Sequence, residues 1–206
     1  MQVDNNIKSE TKIDNVYVDI KLKQLHKSKL YSPDKILILG NDNQNKNLVV
    51  YLTKLLKAKF DISNTYLTSR YNINWSELDI TDIYPNFSPI LVQRCFRKNW
   101  FLFIDSYKYS TYLMEILEKE IIKASHSCII ISENPENKLC SFLDTKIEFD
   151  YIFFTSYDES YNLDIGLHPK DLQELIKTIE ESNKLSENYH LVYDCKNKEL
   201  MYFNIW

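Results

Sequence analysis

Two rhythms of apolar and polar residues run along this chain. From Val16 to Leu22 every second position is apolar, the rhythm of a half-buried strand. Lys35-Ile-Leu-Ile-Leu-Gly40 is instead an unbroken apolar run stopped by glycine, which suits a strand buried on both faces of a parallel sheet. A polar loop, Asn41 to Asn45, is expected next. Leu48, Leu52, Leu55 and Leu56 then return at helical spacing.

Thr65 to Thr68 reads as a strand, and Asn72 to Phe87 as a loop ending near Pro85 and Pro89. Ile90 to Lys98 reads as a helix. Trp100 to Ile104 is a second buried strand, closed by Asp105-Ser106. Residues 110–124 form an amphipathic helix with Glu115 and Lys119 as an i,i+4 pair. Cys128 to Ile131 and Tyr151 to Phe154 are the third and fourth buried strands. A helix is expected from Pro169 to about Asn183. Tyr189 to Tyr193 and Leu200 to Trp206, joined by a polar turn, read as an antiparallel hairpin at the sheet's edge. Buried strands alternating with helices predict an α/β fold with a mainly parallel central sheet. Residues 1–14 lack periodicity and read as a flexible lead-in, with residues 15–206 as a single domain.

Composition narrows the function classes. The formal net charge of −4 does not support a surface devoted to nucleic acid. Lys21, Lys23, Lys27, Lys29 and Lys35 do fall in one stretch with His26, which reads as a solvated face, with a DNA contact as the alternative. Cys95, Cys128, Cys140 and Cys195 are too scattered for a zinc knuckle and read as reduced thiols. No apolar run approaches the ~20 residues of a membrane-spanning helix, so no membrane partner is expected.

Candidate chemistry sits after the first buried strand. A phosphate-binding loop reads G-x-x-x-x-G-K-[ST] between a strand and a helix. The octet here is Gly40-Asn41-Asp42-Asn43-Gln44-Asn45-Lys46-Asn47. Gly40 and Lys46 have the right spacing, but Asn45 stands for the second glycine and Asn47 for the magnesium-binding hydroxyl. The loop must turn N–H groups inward, which favours residues tolerant of positive φ; asparagine tolerates it better than most. Asp42 adds negative charge where phosphates would sit. Phe101-Leu-Phe-Ile-Asp105 has the form of a Walker B strand, whose carboxylate belongs near the metal on an adjacent strand. Ser106 follows, where an acid would activate water, so a general-base contribution of ~10²–10⁴-fold has no obvious supplier.

With these residues in hand, the sequence resembles the genome-packaging ATPases of poxviruses and giant viruses, of the FtsK/HerA group. The resemblance spans roughly residues 16–206. It is carried by Ile20-Lys-Leu-Lys-Gln-Leu before Lys35 to Gly40, then Leu91-Val-Gln-Arg94 before Phe101 to Asp105. Ser125-His126 before Cys128-Ile-Ile-Ile-Ser, Phe149-Asp-Tyr-Ile-Phe153, Glu187 to Asp194 and Phe203-Asn-Ile-Trp206 follow in the family's order. The resemblance implies a three-layer RecA/FtsK-like fold, a sensor residue at Glu133 or Asn134, and Lys146 in place of an arginine finger. It implies a location in the host cytoplasm (the viral factory) or the virion, without secretion.

The departures fall on the chemistry. No intact catalytic set is expected: Asp105, Glu133 and Lys146 are the candidates, with Gly40, Asn45, Lys46 and Asn47 as the nucleotide-binding positions. Asp105 would hold Mg²⁺ if any is bound. No cofactor is expected beyond weak ATP and Mg²⁺. The reading is a catalytically degenerate ATPase-fold protein acting through a protein partner or its own oligomer. The alternatives are a divergent but active DNA-packaging ATPase and a nucleic-acid-binding module.

Overall fold

The computed structural model describes residues 7–13, 16–30, 34–40, 42–59, 65–68, 74–78, 80, 82–83, 101–106, 111–123, 128–133, 142–156, 174–175 and 189–205. Their strands are β1 (Ile7–Ile13), β2 (Val16–Gln24), β3 (Lys35–Leu39), β4 (Thr65–Thr68), β5 (Asp82–Ile83), β6 (Phe101–Ser106), β7 (Cys128–Glu133), β8 (Tyr151–Phe154), β9 (Tyr189–Asp194) and β10 (Glu199–Asn204). They form a 10-stranded sheet in the order β1-β2-β10-β9-β8-β3-β7-β6-β4-β5. The long helices are α1 (Asp42–Lys59) and α2 (Thr111–Lys123).

From β8 to β5 every neighbouring pair is parallel. β9 runs antiparallel to both β8 and β10. The glycine-stopped strand β3 lies between β7 and β8 because its run Ile36-Leu-Ile-Leu39 is apolar on both faces, and all four residues are fully buried. Ile129, Ile130 and Ile131 repeat this on β7. Burying each such side chain contributes about 1.5–3 kcal/mol, so the middle of the sheet is the best anchored part of the fold.

α1 covers one face of these strands. Leu48, Val49, Leu52 and Leu56 form its buried stripe, packed with Ile36, Ile38, Ile130, Phe153, Val192 and Phe203. Phe203 meets Phe153 edge-on at 5.3 Å between ring centroids and Tyr51 at 5.9 Å, the geometry aromatic pairs prefer.

Several expectations change. Ile7–Ile13, read as part of a flexible lead-in, forms β1, because pairing along β2 supplies what its own sequence lacks. The hairpin β9–β10 does not close the sheet; β2 pairs with β10 in parallel at Met201↔Lys23 and Tyr202↔Gln24, and β1 lies beyond. Asn72 to Phe87, read as a loop, contains a 3-10 turn at Trp75–Leu78, whose Trp75 and Leu78 are buried, and the short strand β5. Among the described residues of α2, Glu120 pairs with Lys123 at 3.0 Å, in place of Glu115 with Lys119. The helix expected at Ile90 to Lys98 lies outside the described residues, as does that at Pro169 to Asn183 except for the helical pair Glu174 and Leu175.

Candidate functional site

In a parallel α/β sheet the ligand crevice lies outside the carboxyl ends of the strands, where successive connections leave a strand in opposite directions. β3 is that strand here. The chain leaves it through α1 toward β4 on one side, while β8 is added on the other. Gly40 and the head of α1 therefore occupy the position of a phosphate-binding loop.

The local backbone is not that loop. α1 begins at Asp42, where a polar loop to Asn45 was expected. A helix starting there commits the N–H groups of Lys46 and Asn47 to the carbonyls of Asp42 and Asn43, since each helical N–H bonds four residues back. Asn45 consequently has helical backbone; of the described non-glycine residues only Lys198 has positive φ. Among the described residues, 42–47 are helical, where an inward-turned nest around Asn45 was expected.

Helical spacing then decides where each side chain goes. Asn45 lies three and four residues before Leu48 and Val49, at the head of the buried stripe, and is fully buried. A buried amide must find partners or cost several kcal/mol. Its Nδ2 donates to the Gly40 carbonyl at 3.1 Å and to Ser132 Oγ at 3.0 Å, with the Glu133 carbonyl at 3.4 Å. Its Oδ1 accepts a short hydrogen bond from Thr155 Oγ1. The amide thus ties α1 to the ends of β3, β7 and the residue after β8.

Gly40 makes this closure sterically feasible. Its φ is +150°, and an added Cβ would fall 1.9 Å from Thr155 Oγ1 and 2.5 Å from the Ser156 nitrogen. Its N–H donates to the Glu133 carbonyl at 3.1 Å, and the Thr155 N–H donates to the Leu39 carbonyl at 2.8 Å. The backbone donor at the strand's end is therefore turned to the sheet.

The remaining candidates are spread out. Lys46 is half-buried and makes no hydrogen bond or ion pair with a described residue. Asn47, one further step around the helix, is exposed, so its amide is not presented beside Asn45. Asp105 was expected on a strand adjacent to β3; β7 lies between, and Asp105 pairs in register with Ser132, which pairs with Ile38. That register brings Asp105 to the same row as the Asn45 cluster. Glu133 is buried, and its Oε2 accepts the Phe142 N–H at 3.0 Å. Lys146 is exposed and precedes β8, at the opposite end of that strand from Thr155; its N–H donates to Glu118 of α2.

Ser132 and Thr155 are the site residues that sequence reading missed. The available signal was Asn45 itself: a large polar residue at the head of an apolar stripe requires polar partners across from it. Ser132, closing the apolar run of β7, was the visible candidate. His190 adds to this end of the sheet, because β9 runs antiparallel to β8 and begins beside the end of β8. It is 7% exposed, its Nε2 has no hydrogen-bond partner among the described residues, and burial lowers its pKa to about 4. It is held neutral.

The other end of the sheet is open. A cleft of about 780 Å³ is lined by Lys35, Phe142, Ile147, Glu148, Asp150, Cys195 and neighbouring residues. Asp150 Oδ2 accepts the Lys35 N–H at 2.8 Å and its own N–H donates to the Lys35 carbonyl at 2.9 Å, clamping the starts of β8 and β3 together. Burial first, and then Asp194 and Asp150, push the Cys195 thiol up to about 12. Burial likewise raises the Cys128 thiol, which suits the core role expected of it.

The described lysines of the basic stretch lie in separate surroundings. Lys23 pairs with Glu199 at 3.0 Å, Lys27 lies over the Tyr51 ring, and Lys35 borders the cleft. His26 caps a 3-10 turn at Lys27–Lys29. Among the described residues no group of His, Cys, Asp and Glu could hold a metal ion, and no helix is long and apolar enough to cross a membrane.

Comparison with known proteins agrees with this geometry at the level of the fold. No family model and no curated protein matches the sequence. Solved structures do. The genome-packaging NTPase B204 of Sulfolobus turreted icosahedral virus 2, in complex with sulfate, superposes with a TM-score of 0.53 at 15% identity, over 85% of this chain and 98% of that one. Its complex with AMPPCP gives 0.51 at 17% identity, over 82% and 96%. B204 of Sulfolobus turreted icosahedral virus, a DNA-packaging ATPase, gives 0.52 at 15% identity, over 82% and 96%. This chain has the α/β fold of a viral genome-packaging ATPase.

Proposed function

We propose that this chain is a catalytically degenerate relative of the viral DNA-packaging ATPases, retained as a structural or regulatory partner. The observation that carries the reading is the closure of the loop position by Asn45. Its amide is bonded to Gly40, Ser132 and Thr155 inside a helix that starts at Asp42. Mg-ATP fits these residues poorly: the N–H groups that would cradle phosphate are helical, and position 47 offers an exposed amide in place of a hydroxyl. The three-layer RecA/FtsK-like arrangement belongs to the same proposal. It is supported by the strand order and by strands buried on both faces. Action in the viral factory or virion, through a protein partner or self-assembly, follows from the family likeness.

The test is ATP turnover by the purified chain. Hydrolysis at background is expected, unchanged by Lys46→Ala. Turnover above background that Lys46→Ala abolishes overturns the reading.

A weak nucleotide site is the second reading, favoured by Lys46, which has the spacing of a phosphate-binding lysine and no bonded partner among the described residues. It requires Mg-ATP to raise the melting temperature with a dependence on Lys46. DNA binding has less support, since the stretch that would carry it is engaged in local contacts.

A further inference from the structure

α2 turns Met114, Leu117 and Ile121, at helical spacing, into the protein, and all three are buried. On one flank of this stripe Glu118 accepts the Lys146 N–H at 2.7 Å, and on the other Glu120 pairs with Lys123. The opposite stripe is Tyr112, Glu115, Lys119 and Ile122, in steps of three or four residues that keep them on one face. Tyr112 is 70% exposed and Ile122 46%, and they are the exposed large apolar side chains among the described residues. Glu115 and Lys119 are exposed as well, and make no ion pair with each other or with another described residue.

These four residues are arranged symmetrically along the helix. The level of Leu117 lies midway between Glu115 and Lys119, and also midway between Tyr112 and Ile122. A two-fold axis at that level, perpendicular to the helix, turns the stripe onto itself with its direction reversed. Glu115 of each copy then meets Lys119 of the other, and Tyr112 of each meets Ile122 of the other. Parallel packing of the same stripe would instead set Glu115 against Glu115 and Lys119 against Lys119, so charge selects the antiparallel arrangement. At about 1.5 Å per residue the two apolar pairs lie about 15 Å apart, with both ion pairs between them. The apolar pairs shield those charges from water, in which an ion pair contributes little.

We infer that this chain forms a two-fold dimer through α2, packed antiparallel to α2 of a second copy with Glu115 against Lys119. The occupant is a second copy because the order Tyr112, Glu115, Lys119, Ile122 complements itself under a two-fold axis. Such a contact is isologous and closed. It gives the self-assembly named in the proposed function a surface, and it holds or fails independently of whether the chain hydrolyses ATP.

Charge reversal at these exposed positions tests it with little risk to the fold. Glu115→Lys and Lys119→Glu each set like charges against each other twice across the axis. In analytical ultracentrifugation at up to about 100 μM the wild-type chain is expected to dimerise, and each single variant to associate about tenfold more weakly or worse. The double variant Glu115→Lys/Lys119→Glu should recover the dimer. An equimolar mixture of the two single variants should form a heterodimer, because their charges are opposite at both contacts. Lys54→Glu, exposed on α1, should leave association unchanged. Matching circular dichroism spectra of variant and wild type tie a loss of association to the contact itself. A monomeric wild-type chain overturns the proposal. So does a dimer insensitive to both reversals, or a failure of the two single variants to pair with each other. Equal sensitivity at Lys54 overturns the placement of the contact on α2.

Discussion

The two ends of the central sheet differ in what their polar groups do. At the carboxyl ends of β3, β7 and β8, Asn45, Ser132, Glu133, Thr155 and His190 are all buried. At the amino ends, Lys35, Glu148, Asp150, Cys195 and Lys196 border an open cleft. A parallel sheet offers its ligand crevice at the carboxyl ends. In this chain the described polar residues at that end are buried, and Asn45 bonds to Gly40, Ser132 and Thr155 among them. The difference is one of burial: polar side chains are drawn into the seam between α1 and the sheet at one end and border a cleft at the other.

The largest way to break the buried end is Gly40→Ala. The new Cβ would overlap Thr155 Oγ1 at a φ that favours glycine, and a loss of roughly 4 kcal/mol is expected in denaturant unfolding.

Acid comes next. His190 has a folded pKa of about 4, below its unfolded value of 6.5, so the unfolded state takes up the proton first. Its stabilising contribution is complete above about pH 6.5 and is lost as pH falls toward 4, by roughly 3 kcal/mol in total. His190→Phe should remove that share of the acid sensitivity; identical pH profiles of unfolding free energy for variant and wild type would show that the histidine is not held neutral.

Asn45→Ala removes the amide that accepts from Thr155 and donates to Ser132 and should cost roughly 2 kcal/mol by thermal or chemical unfolding. A neutral result would mean that the amide does not close this end. At the open end, Asp150→Ala removes the acceptor of the Lys35 N–H, with an expected loss of about 1 kcal/mol. The smallest effect is expected from Lys23→Ala. Its pair with Glu199 is solvent-exposed, and a change within about 0.5 kcal/mol is expected from the same unfolding curves.

Much of the fold was legible in the chain. β3, β8 and the hairpin β9–β10 follow directly from apolar runs and their stops, and α2 from its helical spacing. The unbroken runs of β3 and β7 also implied burial on both faces, because a sheet strand with no polar residue has no face to offer water. The start of α1 was misread because four of the five residues from Asn41 to Asn45 are Asn or Asp, which favour caps and turns over helix interiors. Helix formation there depends on docking Leu48, Val49 and Leu52 against β3 and β7, a tertiary term that propensity does not contain. β1 was missed for a similar reason: its ladder is supplied by β2.

For the loop position, the sequence by itself determined what is present: a glycine and a lysine at phosphate-loop spacing, with asparagines at the two positions between and after them that chemistry needs. Only the tertiary structure decided what those asparagines do. Helix phase sends Asn45 inward and Asn47 outward, and the strand order brings Ser132 and Thr155 within hydrogen-bond reach of the first. Spacing along a chain fixes which residues share a helix face. Which groups lie across from that face depends on strands that are far apart in sequence, and burial then compels the polar ones to bond.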